Sequence, residues 1–297
     1  MKLVTFFFEG TKQPGLLDAG QVLPLKQAGF DDLLSLIAGG ERALGSVRAL
    51  VADHSASRLE SGSVQLLAPL LNPPRIFGIG LNYRDHATES KMAVQSVPTV
   101  FLKLPSSIVG PDQAVPLPPE AAQPDYEAEL AVVIGKAGHR IMPGDWKEHV
   151  FGYTIINDVS ARGVQLATSQ WSLGKSFPGF TPMGPAIVTS DEISDPHELN
   201  IQLRLNGELM QSANTRDLIF KIPELIAYIS TIVPLEPGDM ISPGTPSGVG
   251  MGRTPQLWLK PSDEMIIDIE RVGTLRNCTI AAAQRLIMSQ LQLEAAF

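Results

Sequence analysis

Short apolar runs, most of them too brief for a helix, restrict how this chain can fold more than any other feature. They lie at Lys2–Phe8, Arg75–Gly80, Thr99–Lys103, Leu130–Ile134, Gly152–Ile156, Ala186–Thr189, Ile201–Leu205 and Met265–Ile269. Their length and their β-branched and aromatic content predict strands. Prolines such as Pro116, Pro118, Pro119 and Pro124 fall mostly between them, where a missing amide hydrogen breaks no ladder. Helical spacing is visible in Phe30–Ile37, in Glu41–Val51 and most clearly in Leu218–Val233, where Leu218, Ile222, Leu225, Ile226, Ile229 and Val233 share one stripe. The regular strand–helix alternation of a doubly wound sheet is missing. The pattern predicts a strand-dominated α+β fold, with a small N-terminal domain over residues 1–70 and a larger domain over 71–297. Within the first, Gln13-Pro14-Gly15 predicts a turn, Leu16–Asp18 with Gln21–Leu25 a hairpin, and polar Ser55–Ser63 a linker.

Of 297 residues, 44% are hydrophobic and 18% charged, which suits a globular chain with a sizeable core. The net charge of −8 and the lack of a basic run disfavour nucleic acid, whose phosphates call for clustered Lys and Arg. No apolar stretch approaches the ~20 residues that span a bilayer. The apolar start is cut by Glu9, Gly10 and Lys12 before it reaches signal-peptide length. The expectation is a cytoplasmic protein with neither membrane nor nucleic-acid partners. The single cysteine, Cys278, cannot form an intramolecular disulfide and is expected to be a buried small residue.

The run Asp125-Tyr126-Glu127-Ala128-Glu129-Leu130 is the sharpest chemical feature. Residues two apart in a strand share a face, so Glu127 and Glu129 would stand side by side. Such a pair is either a solvated strand edge or a cation site, because adjacent buried carboxylates repel unless a cation joins them. A third carboxylate, Asp158, ends the apolar run Tyr153–Asn157 and favours the cation over a turn-forming Asn-Asp pair. All-oxygen ligands suit Mg²⁺, with Mn²⁺ or Ca²⁺ as alternatives. His86 and Glu89 lie three apart, one helical turn, in a polar segment after a strand; a carboxylate that orients an imidazole makes a general base. Gly174-Lys175-Ser176 is not the end of a phosphate loop, since Ser169 replaces the required glycine. The glycine-rich stretch Pro237–Gly250 carries Thr245, and its amides and hydroxyl could hold a carboxylate.

Together, Gly80-Leu81-Asn82-Tyr83 with His86, Phe101-Leu102-Lys103, Tyr126–Leu130, Asn157–Arg162, Gly174–Phe177, Asn206-Gly207-Glu208 and Gly244-Thr245-Pro246 resemble the fumarylacetoacetate hydrolase family over roughly residues 72–280. The nearest types are bacterial acylpyruvases and 2-hydroxyhepta-2,4-diene-1,7-dioate isomerases. The resemblance implies a roll of mixed β-sheets around a central site, and a homodimer. It implies Glu127, Glu129 and Asp158 as metal ligands, His86, Glu89 and Lys175 as catalytic groups, and Arg162, Gln165 and Thr245 as substrate contacts. The chain departs from the family pattern at Gly163, where aspartate is usual beside the arginine, at Pro243, at Pro261-Ser262-Asp263 and at Arg271.

The implied substrate is a small 2-oxo acid. The leading expectation is hydrolysis of a C–C bond in an acylpyruvate-like compound, with water activated by His86 and Glu89. The alternative is isomerisation, tautomerisation or decarboxylation of a related dicarboxylic 2-oxo acid such as oxaloacetate. A further alternative is a non-catalytic binder on the same fold. Lys91–Val97 and Met251–Pro255 are expected to meet the substrate tail.

Overall fold

Two sheets organise the protein in the computed structural model, which describes residues 1–89 and 95–282. From edge to edge the larger sheet runs Leu59–Glu60, Gln21–Pro24, Thr11–Asp18, Lys2–Phe8, Thr181–Thr189, Val150–Asn157, Ala128–Ile134, Met240–Ser242, Ile76–Gly80 and Thr99–Lys103. Met240–Ser242 pairs with Ile76–Gly80 in parallel; the neighbours on either side are antiparallel. The smaller sheet runs Glu208–Asn214, Asn200–Leu205, Glu264–Ile269, Gly273–Ala281 and Val115–Leu117. This is the strand-dominated mixed-sheet architecture expected from the sequence.

Ala128–Ile134 is the central element, and every residue in it is buried. Ala128, Leu130, Val132 and Ile134 face Leu203, Leu205, Ile267 and Ile269 of the smaller sheet. Ala131 and Val133 face the opposite core, with Leu3, Leu33, Leu36, Ile37 and Val47. Burial on both faces explains the unbroken apolar run, where a half-exposed strand would alternate. Each buried Val, Leu or Ile contributes about 1.5–3 kcal/mol.

The sheet continues across residue 70. Lys2 and Leu3 pair with Val188 and Ile187, and the second core draws side chains from both sides of that boundary. Residues 91–94 of the expected tail-contacting segment, and residues 283–297 of the larger region, lie outside the described residues.

Several local expectations are corrected. Pro14 and Gly15 sit inside strand Thr11–Asp18, not in a turn. A Cβ on Gly15 would lie 2.7 Å from Val22 and 2.8 Å from Phe6, so the glycine makes room for packing across the sheet. The Ser55–Ser63 linker includes the edge strand Leu59–Glu60. The long helix starts at Ile222 rather than Leu218: Pro223 suits only a first turn, and Lys221 N donates to the Glu224 carboxylate at 2.7 Å. Cys278 is exposed, because Leu275, Asn277 and Thr279 take the inward positions of Gly273–Ala281. At two departures from the family pattern, Ser262 (φ +75°) and Arg271 (φ +64°) adopt the left-handed conformation that glycine takes most readily. Among the described residues no helix is long and apolar enough to cross a membrane.

Thr154, on Val150–Asn157, is fully buried, and its hydroxyl has no partner among the described residues. An unsatisfied buried hydroxyl costs stability that an isosteric methyl does not. Thr154→Val is therefore expected to raise the unfolding free energy by about 1 kcal/mol. Denaturant unfolding checks this, and a destabilised variant would show that the hydroxyl is satisfied in solution.

Candidate active site

Strand pairing assembles the carboxylates. Ala128 stands opposite Asn157, and Glu129 opposite Ile156. Asp158 N donates to Glu127 O at 2.8 Å, and Glu127 N donates to Asn157 Oδ1 at 2.9 Å. The register thus sets Glu127 beside Asp158 at the mouth of the pair, with Glu129 one step further in. One oxygen of each of Glu127, Glu129 and Asp158 lies within 4.8 Å of the others, and all three residues are buried.

Three buried cations face them. Lys175 Nζ donates to Glu127 Oε2 and Asp158 Oδ2, both at 2.7 Å. Arg162 Nη2 lies 2.6 Å from Glu127 Oε1. Lys103 Nζ donates to Asp158 Oδ1, Lys175 O and Phe180 O. Burial pulls the Lys103 pKa down against Asp158, yet three acceptors match the three hydrogens of an ammonium. Burial also opposes the charged form of Lys175, but Asp158 and Glu127 outweigh it and raise its pKa.

The carboxylates are unequal. Burial disfavours ionised Glu127, but Lys175 and Arg162 hold its pKa far below the usual range. Burial, Asp158 and Glu127 all push Glu129 well above that range. Ser242 Oγ (2.6 Å) and Gly244 N (2.9 Å) both donate to one Glu129 oxygen, Oε2. Without a cation, burial, Asp158 and Glu127 favour the protonated form of Glu129. A divalent cation among the three oxygens removes that repulsion, and all-carboxylate ligands fit a hard ion. The residues present therefore fit a divalent metal.

His86 and Glu89 lie on the short helix Arg84–Glu89. His86 Nδ1 is buried, has no hydrogen-bond partner among the described residues and stands 3.6 Å from Glu89 Oε2. The helix is held at both ends. Before it, the Asn82 side chain donates to Phe220 O and Pro243 O and accepts from Phe220 N. After it, the Glu89 carboxylate accepts from Gly248 N at 3.0 Å. Burial raises the Glu89 pKa, but His86 and the Gly248 amide more than offset this and keep it below the usual value.

His86, Glu127, Glu129, Arg162, Gln165, Lys175 and Thr245 line one cavity of about 30 Å³, while Asp158 sits behind Lys175 and Glu89 lies outside it. The Phe101 and Trp171 rings wall it off, seated over Gly78 and Gly80, where a Cβ would come within 2.3 Å and 2.2 Å of them. Arg162 Nη1 donates to Gln165 Oε1 at 2.9 Å. The Thr245 hydroxyl donates to Ala128 O and accepts from Gln211 Nε2, so its hydrogen is already committed. A far larger cleft, about 960 Å³ beside Met1, Arg48 and Arg271, lies away from this cluster.

Sequence reasoning assigned no role to Lys103 or Asp125. The alternation of Thr99–Lys103, with Phe101 and Lys103 inward and Val100 and Leu102 outward, was the available signal for Lys103. Asp125 is fully buried: its carboxylate accepts from Arg162 Nε (3.0 Å) and Nη2 (2.9 Å), Gly250 N (2.7 Å) and Met251 N (3.0 Å). It fixes Arg162 although Gly163 supplies no carboxylate. Gly163 itself packs on Ala122, which a Cβ would approach to 2.9 Å.

Residues 75–280 match the family model described as fumarylacetoacetate (FAA) hydrolase C-terminal. The chain is 42% identical over 288 residues to the oxaloacetate tautomerase fahd2, mitochondrial, of Xenopus laevis, covering 93% of this chain and 89% of that one. It is 44% identical over 256 residues to the oxaloacetate tautomerase YisK of Bacillus subtilis (strain 168), covering 82% and 85%. The crystal structure of maleylpyruvate hydrolase from Sphingobium sp. SYK-6, in complex with manganese(II) and pyruvate, superposes with a TM-score of 0.82 at 31% identity, covering 95% of this chain and 99% of that one.

Because burial, Asp158 and Glu127 raise the Glu129 pKa in the absence of a cation, Mg²⁺ binding is expected to expel up to about one proton and to weaken as pH falls. Calorimetry in buffers of different ionisation enthalpy measures the proton count. Binding that is pH-independent and proton-neutral would refute this coupling.

Proposed function

The chain belongs to the fumarylacetoacetate hydrolase family, and from that premise we propose that it is a divalent-cation-dependent tautomerase of a compact dicarboxylic 2-oxo acid, oxaloacetate being the leading candidate. The observation that carries this reading is one cavity in which His86, with the Glu89 carboxylate 3.6 Å behind its ring, meets Glu127 and Glu129 of the carboxylate triad and the buried Lys175 ammonium, which also holds Asp158. The two oxaloacetate tautomerases at 42% and 44% identity support the same reading. The weight thus moves from C–C hydrolysis to the alternative reaction.

Keto–enol interchange needs one proton moved from C3 to the C2 oxygen. His86 takes the C3 proton and returns it to that oxygen, so the ring ends as it began. Glu89, beside Nδ1, steadies the ring and offsets its charge while it holds the proton. Lys175 sets positive charge near the C2 oxygen as negative charge develops there. The Gln165 amide nitrogen, which has no protein partner among the described residues, is available to a substrate carboxylate, and Arg162 holds that side chain in place. Glu127, Glu129 and Asp158 would hold Mg²⁺ or Mn²⁺, which when bound acts as a Lewis acid on the 2-oxo oxygen.

The proposal includes a homodimer. Val100, Leu102 and Leu104 are exposed along the outer edge strand and its end, and Leu173 beside them is 72% exposed. The Leu102 and Leu104 amides are capped by the Ser172 and Ser176 hydroxyls, so side-chain packing rather than strand addition would join a second copy. Leu102→Lys with Leu173→Lys is expected to yield monomers in sedimentation equilibrium; a wild-type monomer would remove this part of the reading.

His86→Ala is expected to lower kcat/KM for oxaloacetate tautomerisation, followed by the ultraviolet absorbance of the enol, by about 10²–10⁴-fold. Glu127→Ala is expected to abolish metal-dependent turnover. If wild-type protein with Mg²⁺ cleaves acylpyruvates, or releases CO₂ from oxaloacetate, faster than it interconverts the tautomers, the hydrolase or decarboxylase reading replaces this one.

A further inference from the structure

Two spaces meet at one side chain. Met251 lines the cavity that holds His86, Glu127 and Lys175, and it also lines an outer cleft of about 500 Å³ with Glu89, Arg253 and Gln256. His86 borders the inner space and Glu89 the outer, and the two side chains stand 3.6 Å apart. The partition is therefore about one side chain thick.

The backbone on which Met251 sits is fixed. The Gly250 and Met251 amides both donate to the Asp125 carboxylate, at 2.7 and 3.0 Å. At Gly252 a Cβ would lie 2.2 Å from the Glu89 side chain, so this loop presses directly on the helix that carries His86. The adaptable part of the wall is the methionine itself, unbranched and with several rotatable bonds. Beyond it the chemistry changes. Arg253 Nε donates to Tyr126 Oη (3.2 Å) and Gly248 O (3.3 Å), and Nη2 donates to Met210 O (2.8 Å). All three acceptors are neutral oxygens; the carboxylate that shares the cleft with the guanidinium is Glu89, whose pKa Arg253 helps to lower and whose oxygens already accept from Gly248 N.

We propose that Met251 is a specificity-determining residue that sets the length of 2-oxo acid the site accepts, closing the inner cavity behind a short substrate. Shortening it joins the cavity to the outer cleft, where Arg253 receives the distal carboxylate of a longer 2-oxo dicarboxylic acid. This rests on the reading of the inner cavity as the 2-oxo acid site. A pocket wall that differs by a few methylene groups discriminates substrates by about tenfold or more.

The test measures binding by calorimetry with Mg²⁺ present, using oxalate as a probe of the inner cavity alone and 2-oxoadipate as a probe of both spaces. Met251→Ala, with Met251→Ser as a second shortened variant, is expected to raise the ratio of 2-oxoadipate to oxalate affinity by about tenfold or more. Met251→Leu is expected to keep the wild-type ratio. Adding Arg253→Gln to Met251→Ala should take back the gain for 2-oxoadipate but not for 2-oxohexanoate, which lacks the second carboxylate. If both shortened variants bind oxalate and the ratio stays within about threefold of wild type, Met251 does not set substrate length. If wild-type protein fails to bind oxalate, the reading of the inner cavity falls first and the proposal falls with it.

Discussion

Four carboxylates, those of Asp125, Glu127, Glu129 and Asp158, are buried together, and the cations buried against them are Lys103, Arg162 and Lys175. Burying ions is costly, and it is tolerated where each keeps partners that replace water. Much of the architecture around the site follows from that demand. Lys103 requires an inward-facing position on the edge strand Thr99–Lys103. Lys175 requires the loop whose serines cap that edge. Arg162 requires Asp125, and Asp125 requires the amides of Gly250 and Met251. The Glu127–Asp158 contact is the hinge of the set, because it is made by the strand register itself. A one-residue slip would turn Glu129 into the core between the sheets.

The parts that were legible in the sequence are those where a local pattern and a tertiary constraint coincide. The run after Glu129 is apolar because its strand is covered on both faces, so the strand and its carboxylates could be read together. Asp158 stood out for the same reason, at the end of the neighbouring apolar run. Less was legible where tertiary packing overrides local preference. Gly15 looks like a turn residue, yet its lack of a Cβ serves Phe6 and Val22 across a strand. Glu208–Asn214 and Gly273–Ala281 escaped notice because Gln211, Asn277 and Thr279 face inward, which blurs alternation. Asp125 lies inside the very motif that drew attention to Glu127. Its partners, Arg162 and the Gly250–Met251 amides, are far away in sequence, and only the fold brings them to it.

Hydrolysis and tautomerisation of 2-oxo acids share their first demands: an anchored head group, a base above it and positive charge beside the C2 oxygen. The same residues therefore serve either, and their presence does not choose between them. What separates the reactions is the space beyond C3. A hydrolase must hold an acyl group and a water in line with its carbonyl, whereas a tautomerase needs only to return a proton. Glu89 is engaged both with His86 and with the Gly248 amide. That second contact ties the helix carrying His86 to the loop carrying Met251.

Charge also orders the events. With the four carboxylates ionised, the cluster carries one more negative than positive charge, and a proton on Glu129 brings it to neutrality. Neither state attracts an anionic acid strongly. A divalent cation held by Glu127, Glu129 and Asp158 would displace that proton and reverse the balance, giving the cluster a net positive charge that suits the proposed anionic substrate. At low effective dielectric that change is worth several kcal/mol of attraction, by Coulomb's law. Cation first and substrate second is thus the order that this arrangement of residues favours.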